Sequence, residues 1–140
     1  MGEEDIPSVQ RISDALFASI ANQNQLTEDH LVSLSVVFGK LLPKALRTLD
    51  TGGVFCFQGE PSGRSVYHIQ GQSGSEPYLV YPEHFCECHA FQFDVLTKQD
   101  AVLCKHQLAA RLACSLGTLR TSTVSDLVIA DLLLQPPLRP

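Results

Sequence analysis

Hydrophobic residues in the first fifty positions recur at helical spacing. Between residues 7 and about 22 they fall three or four positions apart, at Val9, Ile12, Leu16 and Ile20. This spacing places them on one face of a helix, and Pro7 suits its first position. A second helix is predicted to begin at Thr27, a residue type that caps helices, and to end near Gly39. A third, short helix is predicted to begin at Pro43, with Ala45, Leu46 and Leu49 facing inward.

The spacing of hydrophobic residues changes from a helical to a strand-like pattern after a turn signal at residues 50–53. Residues 54–58, 64–70 and 77–81 are rich in aromatic and β-branched side chains, and glycine-containing turns separate them. Short extended runs joined by such turns are typical of antiparallel strands. The pattern therefore predicts a three-stranded antiparallel meander.

The last third of the chain again has a helical period. Leu108, Leu112 and Leu116 recur every four residues, and Gly117 ends that helix. A final helix is predicted from residue 125, and every residue between 127 and 134 is apolar except Asp131. A helix that is apolar on all sides must be buried on most of them. Two interpretations follow: this helix and the N-terminal one cover each other within the monomer, or one of them offers an apolar patch to another protein.

These elements predict an α+β fold in one compact unit, which suits a chain of 140 residues. Residues 1–50 form an N-terminal helical segment. Residues 51–117 hold the meander, a metal-binding module and the helix that follows it. Residues 118–140 form a C-terminal helix and tail.

Composition and charge exclude several classes of protein. Hydrophobic residues are 44% and charged residues 18%, so the chain is not a disordered tail. No run of 18 uncharged apolar residues occurs, and the acidic N-terminus lacks an apolar signal-peptide core, so we expect an intracellular protein without a membrane partner. The net charge of −5 and the scattered basic residues disfavour tight, autonomous DNA binding, with a local patch at Lys98, Lys105 and Arg111 as the possible exception.

Three of the five cysteines cluster with histidines in the pattern C-x-C…C-x-H. Cys86 and Cys88 are followed, after fifteen intervening positions (89–103), by Cys104 and His106. Four such ligands typically hold a closed, tetrahedral structural zinc ion. Residues two apart on an extended segment point the same way, so the first pair can share one metal. Two residues turn roughly 200° on a helix. We therefore expect Cys104 at or just before a helix N-terminus and His106 in its first turn.

Other cysteines and histidines leave some alternatives open. His84 and His89 are rival zinc ligands, or partners that hydrogen-bond the ligands. Cys56 and Cys114 have no metal-like neighbours and are expected to be buried thiols. His30 follows two acidic residues and is expected to be exposed.

No catalytic set is assembled in the sequence. The side chains of Cys104 and His106 diverge on a helix, and the sequence shows no third group to orient a thiol–imidazole pair. Phosphate-binding and nucleophile-elbow patterns are also absent from the sequence. We therefore do not expect an enzyme.

The C-x-C…C-x-H pattern, placed after a hairpin and before a helix, resembles the SWIM-type zinc fingers. The run from Cys104 to Ala109 also matches the C-x-H-x-x-A extension of the SWIM subunits of Shu complexes. This resemblance covers roughly residues 26–134. It implies a zinc ion at Cys86, Cys88, Cys104 and His106, and a close helix approach at the small Ala109.

The resemblance also implies a function. Shu-complex SWIM subunits pair with a RecA-family recombinase paralogue, and the pair promotes assembly or stability of the recombinase filament on single-stranded DNA. This role belongs to homologous recombination repair, including meiosis in animals, and thus to the nucleus. An acidic, non-catalytic adaptor that reaches DNA mainly through its complex fits this role. The alternative is an autonomous nucleic-acid-binding zinc finger, whose affinity for single-stranded DNA would fall steeply with salt.

Overall fold

The computed structural model describes residues 9–51, 53–69, 78–82, 85–86, 88 and 103–134. Within these residues the chain forms, in order, α1 (Val9–Gln23), α2 (Glu28–Phe38), α3 (Leu41–Thr51), β1 (Val54–Glu60), β2 (Ser65–Ile69), β3 (Tyr78–Tyr81), β4 (Phe85–Cys86), α4 (Lys105–Leu116), β5 (Arg120–Ser125) and α5 (Asp126–Leu134). The predicted α+β class is confirmed. None of the helices in these ranges is long and apolar enough to cross a membrane.

The predicted N-terminal helices are present, and Ala45, Leu46 and Leu49 of α3 pack in or against the core as predicted. The buried face of α1 differs from the prediction. On α1 the buried side chains are Ser13, Phe17 and Ile20, whereas Ile12 is exposed. The face is rotated because Phe17 lies under the Arg111 guanidinium of α4, 4.3 Å from the ring centroid, and beside Phe38 of α2. The third helix begins two residues before Pro43, since proline is tolerated in a first helical turn.

His30 is buried, so its predicted exposure is wrong. The hydroxyl of Thr27 accepts a hydrogen bond from the His30 backbone N–H, and His30 Nδ1 accepts one from the Thr27 N–H, both at 3.1 Å. Because Nδ1 accepts, Nε2 carries the proton of the neutral ring and donates to Ser19 Oγ at 2.9 Å. His30 thus completes the cap of α2 and ties it to α1.

Within the part of the chain that the structure describes, the predicted meander is the centre of a five-stranded sheet with the order β4-β3-β2-β1-β5. Strands β1, β2 and β3 pair antiparallel, with Val54 opposite Ile69 and Tyr67 opposite Val80. The sequence prediction missed the short β4 and also β5, which pairs parallel with β1 from Phe55 opposite Arg120 onward. β5 carries a single apolar residue, Val124, so it has no alternating hydrophobic pattern to reveal it.

The two faces of the sheet pack against different helices. One face presents Val54, Ile69 and Val80 to the core, where they join Leu108 and Leu112 of α4. Residues on the opposite face include Phe57 and Gly59, and α5 packs there. A Cβ built at Gly59 would lie 2.7 Å from Ile129 Cγ1, so this glycine lets the helix approach the strand closely.

α5 is held at its N-terminus and largely exposed along its length. The Asp126 carboxylate accepts hydrogen bonds from the backbone N–H and the hydroxyl of Ser62, at 3.1 and 2.7 Å. Ile129 is buried, but Leu127 and Leu134 are 80% and 79% exposed. The expectation that this apolar helix is buried on most sides is therefore wrong for the residues that the structure describes.

Candidate metal centre

The structure brings the four predicted ligands, Cys86, Cys88, Cys104 and His106, into one buried cluster. Their candidate ligand atoms all lie within 4.8 Å of one another. Cys86 is the last residue of β4, opposite Val80 of β3, and Cys88 lies just beyond that strand. Cys104 is the N-cap of α4 in an extended conformation, and His106 follows in the first turn. Both ligand pairs thus lie where their spacings place them.

The cluster has the donor set and dimensions of a structural zinc site. Three cysteine sulfurs and one imidazole nitrogen form a Cys3His set, which binds zinc tetrahedrally. Cys86 Sγ lies 3.7 Å from His106 Nδ1. Two such atoms bonded to one tetrahedral zinc ion would be roughly 3.6 Å apart, from Zn–S and Zn–N distances of about 2.3 and 2.05 Å. When bound, zinc would cross-link the β3–β4 hairpin to α4.

Crowding and burial raise the pKa values of the Cys86 and Cys104 thiols, so both stay protonated when no metal is bound. Hydrogen bonds with Cys104 and Cys88, together with burial, raise the pKa of Cys86. The pKa of Cys104 is raised to about 12: a hydrogen bond with Cys86 lowers it, but one with Cys88 and the burial of the thiol outweigh that effect. A divalent cation reverses this balance, because its charge stabilises thiolates. The cluster is therefore suited to a metal cation.

We expect zinc affinity to rise with pH. The raised thiol pKa values mean that zinc must displace protons at neutral pH. For each proton that zinc displaces, the zinc affinity should rise about tenfold per pH unit. Competition with a chromophoric chelator between about pH 6 and 8, corrected for the chelator's own protonation, measures this slope. An affinity that does not change with pH would contradict the protonated cluster.

The remaining cysteine and histidine predictions have mixed outcomes. Cys56 is buried, as predicted, and Cys114 is exposed, which corrects its predicted burial. Cys114 lies on the side of α4 that lines a cavity of about 600 Å³ between α1, α4 and the sheet. The rival ligands His84 and His89 lie outside the described residues.

The predicted basic patch loses one of its three members. The Arg111 guanidinium is mostly buried, pairs with the Asp14 carboxylate at 2.9 Å and stacks on Phe17. Lys105 is half-buried, and Lys98 lies outside the described residues. Arg111 therefore joins α4 to α1 and pairs its charge with that of Asp14.

Gln107 is a residue of the site that the sequence prediction missed. It occupies the third position of α4, and its side chain accepts a hydrogen bond from the backbone N–H of Cys104. The signal was the capping-box spacing, a cap residue followed three positions later by Glu or Gln. The pattern is hard to recognise here because the cap residue is a cysteine, where such boxes usually have serine or threonine.

Comparison with known proteins identifies the family. A protein of Homo sapiens named zinc finger SWIM domain-containing protein 7 is 33% identical to this chain over 126 residues, which are 90% of this chain and 89% of that protein. The chain belongs to the zinc finger SWIM domain-containing protein 7 family. Proteins of that name from Mus musculus and Danio rerio are 35% and 31% identical over 91% and 98% of this chain, and over 83% and 97% of their own lengths. No protein-family profile and no solved structure matches the chain.

Membership of this family confirms the resemblance to SWIM-type zinc fingers. The zinc finger in the relatives' name and the buried Cys3His cluster agree on zinc as the metal that the site fits. The assignment of Cys86, Cys88, Cys104 and His106 as its four ligands stays a prediction.

Proposed function

We propose that this SWIM zinc finger protein is a non-catalytic adaptor that pairs with a RecA-family recombinase paralogue. In the nucleus, the pair promotes assembly or stability of the recombinase filament on single-stranded DNA during homologous recombination repair, including meiosis. The resemblance to Shu-complex SWIM subunits suggests this role. The observation that carries it is the exposed apolar surface of α5, which gives the chain a place to bind a partner.

The four-residue metal centre supports a structural rather than a catalytic role. Catalytic zinc keeps one coordination position for water, whereas four protein ligands fill a tetrahedral shell. All four predicted ligands are buried, at the end of β4 and the start of α4. A metal in this centre would therefore hold β4 and α4 together and leave no ligand position for a substrate.

The exposed face of α5 has the form of a helix-packing surface. Leu127 and Leu134 are seven residues apart, with the small Ala130 between them, so all three lie along one side of the helix. The bonds from Ser62 to Asp126 hold this side in a defined position on the sheet. We assign this surface, Leu127–Ala130–Leu134, to contact with the recombinase paralogue.

Replacing Leu127 and Leu134 together by glutamine should strongly weaken binding of the paralogue. Both side chains are exposed, and glutamine has nearly the helix propensity of leucine, so the fold and the zinc content should be retained. Loss of two central apolar contacts should weaken the complex on the order of 100-fold. Co-purification with co-expressed candidate paralogues, followed by titration of the purified partner, measures the effect.

The matched control is the same change at Val32 and Val36, which are 64% and 82% exposed on α2. This variant removes a similar exposed apolar pair elsewhere and should bind the paralogue like the unmodified chain. The assignment of the surface would be refuted if the α5 variant bound the paralogue as tightly as the unmodified chain does. It would also be refuted if the α5 and α2 variants lost the same amount of affinity.

The salt dependence of single-stranded DNA binding distinguishes the adaptor from the alternative, a protein that binds nucleic acid by itself. An adaptor should bind single-stranded DNA weakly by itself and contribute mainly through its complex. The net charge of −5 and the pairing of Arg111 with Asp14 support this expectation. Tight binding by the purified chain that weakens steeply with salt would favour the alternative.

A further inference from the structure

We propose that Gln107 is a positioning residue of the metal centre. Its side-chain amide joins the backbone of the ligand residue Cys104 to the end of β3, and this connection sets the zinc affinity. The inference depends on metal binding at the Cys3His cluster and is independent of the adaptor role.

The burial of Gln107 calls for a specific explanation. Its side chain is 1% exposed, although glutamine is mostly found at protein surfaces. A buried amide is costly unless its hydrogen bonds are made. Gln107 lies directly after the predicted ligand His106, so the buried amide is adjacent to the centre.

Both ends of the amide are used, and they join different parts of the chain. Oε1 accepts a hydrogen bond from the Cys104 N–H at 3.1 Å, and Nε2 donates one to the Tyr81 carbonyl oxygen at 3.4 Å. A backbone N–H needs an acceptor and a carbonyl needs a donor, so this orientation alone satisfies both partners. The Gln107 backbone N–H also donates to Cys104 Sγ at 3.4 Å.

This connection lies between the two segments that supply the ligands. Tyr81 ends β3, and β3 pairs with β4, which carries Cys86. Cys104 and His106 begin α4. Gln107 therefore holds the start of α4 against the hairpin through contacts that need no metal. A site whose ligands are already in place loses less conformational freedom when zinc binds, and therefore binds it more tightly.

The contacts of Gln107 also control the direction of the Cys104 sulfur. The N–H that donates to Sγ belongs to the third residue of α4, and Oε1 fixes the backbone from which the sulfur projects. Partners that orient ligands in this way typically change metal affinity 10- to 100-fold when they are removed. Loss of an ordinary helix cap can cost a similar free energy, so the cobalt spectrum, which reports the ligand geometry, distinguishes the two roles.

Two variants of the full chain test the proposal. Gln107→Met keeps the approximate shape but removes both side-chain hydrogen bonds. Gln107→Glu keeps the acceptor for the Cys104 N–H and suits the first turn of a helix, and in its ionised form it removes the donor to Tyr81. Leu108→Met is the control, because Leu108 is fully buried on the same helix and should tolerate a change of similar volume.

The measurements are the zinc dissociation constant, by chelator competition, and the absorption spectrum of the cobalt-substituted protein. We expect both Gln107 variants to bind zinc about 10- to 100-fold more weakly, and Leu108→Met to stay within about threefold. The cobalt spectrum should change in Gln107→Met, where the Cys104 backbone loses its acceptor, and persist in Gln107→Glu. Should Gln107→Met fail to fold, Gln107→Glu decides by its zinc affinity. A near-normal zinc affinity of Gln107→Glu overturns the proposal. A loss of zinc affinity in Leu108→Met as large as that in the Gln107 variants also overturns it.

Discussion

Cys86→Ser and His106→Ala should each release zinc and unfold the region where the hairpin meets α4. Structural zinc contributes on the order of 10 kcal/mol to the folding of small modules. The whole free energy of unfolding of a domain is about 5–15 kcal/mol, so the loss is comparable with the total stability. Metal analysis of the purified variants and thermal unfolding followed by circular dichroism should show both losses together.

Cys114→Ser is the matched control for this experiment. Its thiol is exposed and lies outside the cluster, so the change should leave zinc content and unfolding temperature nearly unaltered. A metal-free preparation of the unmodified chain that keeps its complete fold would refute the structural role of zinc.

Gly59→Val should destabilise the protein by about 3 kcal/mol, through the contact between β1 and α5. The added Cβ would lie 2.5 Å from Asp126 Oδ1 and 2.7 Å from Ile129 Cγ1. Asp126 cannot move away freely, since its carboxylate holds Ser62. Valine has a higher strand propensity than glycine, so a loss of stability must come from the close contact. Urea unfolding of the zinc-loaded protein measures it.

The neighbouring change Gln58→Val separates this contact from effects on the strand itself. Gln58 is exposed in β1, and its substitution should alter the free energy of unfolding by about 0.5 kcal/mol or less. Equal stabilities of the two variants would show that α5 does not press on Gly59.

The sequence predicted those elements and residues whose positions depend on local geometry. The helices and the meander follow from hydrophobic periods of 3.6 and 2. The convergence of Cys86 with Cys88, and of Cys104 with His106, follows from which side chains can point the same way on a strand and at a helix start. Each of these inferences needs only residues close together in the chain.

Features that depend on distant neighbours were not predictable in this way. The burial of His30 depends on Ser19 of another helix, whose hydroxyl accepts a hydrogen bond from the His30 Nε2–H. β5 is a polar segment that forms a strand because β1 lies beside it. α5 has an apolar sequence, yet packs through Ile129 against the sheet and leaves Leu127 exposed. In each case tertiary contacts outweighed the local pattern.

The parallel pairing of β1 with β5 has a consequence for the order of folding. Phe55 and Arg120 lie opposite each other although 65 positions separate them in the chain (120 − 55). Contacts between such distant residues form slowly, because the entropy of closing a long loop must be lost before the pairing is gained. Zinc held between residues 86 and 106 would shorten the effective loop. A bound metal would then affect how quickly the last strand and α5 reach the sheet, as well as how stable the sheet is once formed.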